Sequence, residues 1–149
     1  MSIREQIDSK LKEAMLARER FLTGVLRDLK SAFLYEEVAK KKRDEGLSED
    51  EYLAVIAREV KKRNDSIEIY TAAGDKARAE QEQAELGILQ GFLPEPLSEN
   101  ELLEIVRRVI TTGGFGIKDM GRVIGDVKKE VGARGDGATI ARLVKSELK

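Results

Sequence analysis

Residues Gly113-Gly114-Phe115-Gly116-Ile117-Lys118-Asp119-Met120-Gly121-Arg122 form a glycine-rich loop that runs into a helix, an arrangement suited to gripping an anion. A helix start presents amide donors without intrahelical partners and a partial positive charge, and glycines let a phosphate approach the main chain. Lys118, Arg122, Lys128 and Lys129 add positive charge along the same stretch. This chemistry suits a phosphate of an RNA backbone. The residues do not fit the Gly-x-x-x-x-Gly-Lys-Ser/Thr pattern of nucleotide loops. They also read as a tight interhelical turn, with Gly121 and Gly125 one helical turn apart so that another helix can approach closely. The two readings are compatible.

A second constellation lies earlier. Tyr52, Ile56, Val60, Arg63, Ile67 and Tyr70 follow the helical repeat, so Arg63, with its neighbour Glu59, falls on or beside an apolar stripe. Glu82 stands in register with Leu86, Leu89 and Leu93 on the next helix. An antiparallel hairpin about Gly74 brings Arg63 near Glu82 or Glu85. The structural reading is an inter-helix ion pair that sets register; the functional one is a recognition site. Further basic clusters are Arg107-Arg108, Lys61-Lys62-Arg63 and Lys40-Lys41-Lys42-Arg43, and on helices this charged such runs read first as solvated faces.

The elements that must position these groups are helical. Ser2…Glu5, Ser48…Glu51 and Ser98…Glu101 are three capping boxes, each opening a helix. Ile3, Ile7, Leu11 and Met15 line the first helix. A second is predicted from about residue 18 to 45, with Leu22, Val25, Leu26, Leu29 and Phe33 inward, the basic tetrad in its last turns and Gly46 ending it. Gly74 caps the third and Asp75 opens the fourth. No strand alternation occurs. Leu93-Pro94-Glu95-Pro96-Leu97 holds both prolines and stops the fourth helix. Three shorter helices are expected beyond it, at about 99–112, 117–131 and 137–148. The fold expected is therefore all-α. A four-helix N-terminal domain (1–93) is joined through a proline hinge (94–96) to a three-helix tail (97–149).

Composition removes whole classes of function. The 149 residues include no cysteine, so there is no disulfide, thiolate nucleophile or Cys-based metal site, and no histidine, the usual neutral base and metal ligand. No carboxylate pair sits in the apolar setting that acid–base catalysis needs, and no calcium-type loop occurs. The expectation is a protein without catalytic residues, metal or cofactor, with no membrane span or signal peptide, working in the cytoplasm. Charge is nearly balanced, 27 basic against 28 acidic groups. It is unevenly spread: residues 1–96 carry 17 basic and 20 acidic groups, whereas residues 97–149 carry 10 and 8, a mild hint of a polyanionic partner for the tail.

Taken in order, several segments resemble the YqeY family. They are Leu26-Arg27-Asp28-Leu29-Lys30-Ser31-Ala32, Glu59-Val60-Lys61-Lys62-Arg63-Asn64-Asp65-Ser66-Ile67, Glu85-Leu86-Gly87-Ile88-Leu89 with Phe92-Leu93-Pro94, Leu97-Ser98-Glu99-Asn100-Glu101-Leu102, Lys118-Asp119-Met120-Gly121-Arg122-Val123-Ile124-Gly125, and Arg134-Gly135-Asp136-Gly137. The chain departs from the family pattern at Ile124, where methionine is frequent, and at Ala133, where glycine is; both look like packing changes. The family's C-terminal part is related to the tail of the B subunit of glutamyl/aspartyl-tRNA amidotransferase. The resemblance implies a helical tail that engages tRNA, with Lys118, Arg122, Lys128, Lys129 and Arg134 as backbone contacts and Arg107 and Arg108 as further basic candidates. Carbon–nitrogen ligase activity with glutamine as nitrogen donor is attached to the family through that shared tail, and no residues for it are present here. Three functions follow as expectations: a non-catalytic tRNA-associated protein, a protein-interaction adaptor acting through the N-terminal helices, or an accessory subunit of such a ligase.

Overall fold

The computed structural model describes residues 1–148 and is all-helical among them. Its elements are α1 (Ile3–Leu16), α2 (Arg20–Ala39), α3 (Glu49–Ala72), α4 (Lys76–Gln90), α5 (Glu99–Gly113), α6 (Met120–Val131) and α7 (Gly137–Glu147). Short 3₁₀ turns at Ile117–Asp119 and Gly132–Arg134 flank α6. Its contacts divide the chain into two compact units, Met1–Leu93 and a second beginning at Pro94.

In the N-terminal unit, α1 packs on α2, and α3 and α4 form a hairpin. The hairpin turns at Gly74, whose φ of +75° only glycine adopts without strain. Ile7, Leu26, Phe33 and Ile56 are fully buried at the centre, with Leu89 of α4 completing the core. Ser2 and Ser48 cap α1 and α3 with reciprocal bonds to Glu5 and Glu51.

Two details of this unit differ from the sequence expectation. Ala14, not Met15, is buried on α1, and Met15 is half exposed. Steps of four residues overrun a 3.6-residue turn, so Met15 has rotated about 120° from Ile3 while Ala14 returns to within about 20° of it. The second helix also stops earlier than expected, at Ala39. Lys41 takes a left-handed φ of +56°, and the Lys42 amide donates back to the Glu37 carbonyl at 2.7 Å, closing the end as a Schellman turn. The basic tetrad thus lies beyond the helix, where Lys40 and Lys42 grip Glu51 at 2.9 and 3.0 Å.

In the second unit, α5, α6 and α7 pack mutually around Val106, Val123, Val127, Ile140 and Val144, all fully buried. Ser98 supplies the third capping box and Asp136 caps α7. Gly135 is held tightly, because an added Cβ would meet Val131 Cγ2 at 2.6 Å, Ile140 Cδ1 at 3.1 Å and Leu102 Cδ2 at 3.2 Å. Gly135→Ala therefore lowers the stability of this unit by about 1–3 kcal/mol, the usual range for overpacking, as a thermal melt will read.

Candidate nucleic-acid interface

The glycine loop does not leave the open amide cradle that its composition suggests. Asp119 folds back on it, and its Oδ2 accepts the Gly116 amide at 3.0 Å. Phe115 lies over Gly113, where a Cβ would come within 2.5 Å of the ring. The anion position at the loop is thus occupied by the chain's own carboxylate. The close helix packing expected at Gly121 and Gly125 is also absent: a Cβ at either glycine would meet nothing within 4 Å. Valines 123, 127 and 131 face the core, which turns both glycines outward. On the helical repeat Gly121, Arg122, Gly125 and Lys129 lie within about 100° of one another, so α6 presents a bare backbone strip edged by cations.

The seven basic residues singled out divide into two groups. Lys118, Arg122, Lys128 and Lys129 are exposed. Among the described residues Lys118, Lys128 and Lys129 have no carboxylate partner. Arg122 stacks over the Phe115 ring, 5.0 Å from its centroid, and its Nε lies 4.0 Å from Asp126 Oδ2. At 71% side-chain exposure that ion pair contributes at most about 1 kcal/mol, so the guanidinium stays available. Lys128 leans toward α7, where a Cβ on Gly137 would sit 3.4 Å from its Nζ.

The remaining three are engaged in the fold. Arg107 pairs with Glu147 at 3.0 Å, joining α5 to α7; that hydrogen bond raises the guanidinium's already high pKa. Arg108 pairs with Glu130, joining α5 to α6. Arg134 donates to the Glu95 carbonyl at 3.2 Å, and its own carbonyl accepts the Leu97 amide at 2.8 Å. These ties fix the lead-in to α5.

Arg63, Glu82 and Glu85 come together between α3 and α4. Arg63 Nη1 bonds Glu59 Oε2 at 2.7 Å, and its Nε lies 3.6 Å from Glu85 Oε2. Burial first, and the adjacent Glu82 second, push the Glu85 carboxyl above its ordinary range, against the pull of Arg63. A carboxyl whose pKa is raised by folding disfavours the fold at neutral pH, and this penalty fades as pH falls through the folded value. Replacing Glu82 with glutamine removes the like charge, so Glu85 will titrate lower than in the parent chain while staying above the ordinary range. A side-chain NMR titration reads this directly.

A polar network that sequence reasoning missed sits under the first turn of α1. Glu37, only 2% exposed, accepts from Arg4 and from the Tyr52 hydroxyl at 2.9 Å, while that hydroxyl accepts the Leu47 amide at 3.1 Å. The signal was present: Glu37 continues the buried line Leu26, Leu29, Phe33 and is the one charge on it.

Among the described residues no group of histidine, cysteine or acidic side chains could hold a metal ion, and no helix is long and apolar enough to cross a membrane. A comparison with curated proteins returns no match. The sequence pattern of the family described as Yqey-like protein matches residues 4–148. With that match spanning nearly all of its length, the chain belongs to the YqeY family.

Proposed function

We propose that this chain is a non-catalytic, tRNA-associated protein whose C-terminal unit lays the outer face of α6 along the tRNA phosphate backbone. The reading takes residues 1–93 and 97–149 as two domains on a hinge at 94–96. The observation that carries it is the open strip at Gly121 and Gly125, flanked by Lys118, Arg122 and Lys129. A phosphodiester can reach the main chain there without displacing a side chain, and two of the three cations have no internal partner among the described residues. Such a surface holds phosphates by charge rather than by base edges, which favours affinity over sequence selection. Lys128 borders the strip as a secondary contact, while Arg107, Arg108 and Arg134 serve the fold first. The relation to the amidotransferase tail supports tRNA over other polyanions. Fluorescence anisotropy of labelled tRNA with the intact chain tests this: saturable binding at low salt is expected, and no binding there ends the reading.

A second reading, an adaptor that docks a protein partner, is favoured by one observation. The outward side of α2 exposes Leu34, Tyr35 and Val38, with Tyr35 at 78% and Val38 at 56%. A pulldown from lysate with and without ribonuclease separates the two, since only an RNA-mediated association is lost on digestion.

A further inference from the structure

The start of α2 differs from those of α1, α3 and α5. The helices α1, α3 and α5 each open with a serine cap and an acidic first turn. In contrast, α2 has no side-chain cap bond and no acidic residue in its first turn. Its N-cap is Glu19, whose carboxylate makes no capping bond; Arg18 and Arg20 flank it, with Arg27 two turns on. These three, with Met15, Thr23 and Gly24, line an open groove of about 630 Å³. Three cations against the single Glu19 carboxylate leave the positive end of this helix short of negative charge. Among the described residues none of the three pairs with a carboxylate; the Arg27 guanidinium rests only on the Met15 sulfur, at 3.8 Å.

One further observation points to a ligand. Thr23 lines the groove while only 9% exposed, and its hydroxyl has no hydrogen-bond partner among the described residues. A helical threonine can bond the carbonyl one turn back; this one does not, which leaves its hydroxyl free to donate into the groove. Arg18 itself occupies the left-handed C-terminal position of α1, with φ +58°, where glycine is the common choice.

We propose that this groove binds a phosphate group, with Arg18, Arg20 and Arg27 as its cationic walls and Thr23 as a hydroxyl donor at its floor. Guanidinium forks match phosphate oxygens in pairs, and a phosphate carries more oxygens and more charge than a single carboxylate, which suits three forks and a hydroxyl. The phosphate comes either from RNA or from a small phosphorylated molecule. The inference is independent of the reading of α6, which lies in the other unit.

The test titrates the intact, ¹⁵N-labelled chain with inorganic phosphate, pyrophosphate and tRNA, following the amides of residues 20–24. Saturable shifts of these amides are expected. Arg20→Gln and Thr23→Val each weaken binding, the arginine change by about tenfold, the worth of one charge-assisted hydrogen bond. Arg18→Gly weakens it similarly while leaving the melting temperature unchanged or higher, because it relieves the left-handed position. Displacement of pyrophosphate by tRNA from these amides identifies the RNA source; shifts with pyrophosphate that tRNA does not displace identify the small molecule. No saturable shift with any of the three probes, or undiminished affinity in the Arg18→Gly, Arg20→Gln, Arg27→Gln triple variant, overturns the site.

Discussion

Arg4→Met destabilises the N-terminal unit by about 3–5 kcal/mol, the cost of stranding a buried charge, and does so more than Glu37→Ala. The asymmetry follows from burial. The Glu37 side chain is 3% exposed and Arg4's is 34%, so removing the arginine leaves a carboxylate in the core, whereas removing the glutamate leaves a guanidinium that reaches water. Tyr52 keeps one bond to Glu37 in the first case, which is not enough to hold a charge. Glu37→Ala still frees the Tyr52 hydroxyl and costs about 1–3 kcal/mol. The network joins α1, α2, α3 and the segment before α3, so the loss falls on the whole unit. Urea denaturation of both variants decides the order; a larger loss for Glu37→Ala would mean that the arginine, not the carboxylate, carries the buried charge.

Lys118→Glu, Arg122→Glu and Lys129→Glu together lower tRNA affinity at low salt on the order of a hundredfold, and reduce the slope of log affinity against log salt by about three. All three side chains are exposed on or beside the outer face of α6, so the fold should persist, and a melting curve verifies this. The matching triple change at Arg107, Arg108 and Arg142 reverses three charges of the same unit, each paired with a carboxylate. It is expected to weaken the helix ties first and to alter the salt slope less. Equal effects from both triple variants would mean that net charge rather than the α6 face governs binding.

Much of the fold is written in local chemistry. Ser2, Ser48 and Ser98 open helices because each hydroxyl meets the third amide on while a glutamate reaches back, a bargain settled within four residues. Pro94 and Pro96 forbid helix by themselves. The end of α2 was less legible, because a lysine at position 41 took the left-handed role that composition assigned to Gly46. The α6 face was half legible. Its residue types pointed to an anion, but which side of Gly121 and Gly125 was open depended on the packing of Val123 and Val127 against α5 and α7. That Asp119 closes the loop depended on a three-residue reach that competes with any outside anion. The groove at α2 was not legible, because the left-handed residue that ends α1 is an arginine, which carries no sequence signature for that role.

The most direct measurement is the footprint of tRNA on the amides of the intact chain by NMR or hydrogen exchange. The account predicts perturbation along residues 117–129, strongest at Gly121, Gly125 and Lys129, and lost in the triple reversal variant. Saturable tRNA binding that leaves α6 unperturbed would contradict it.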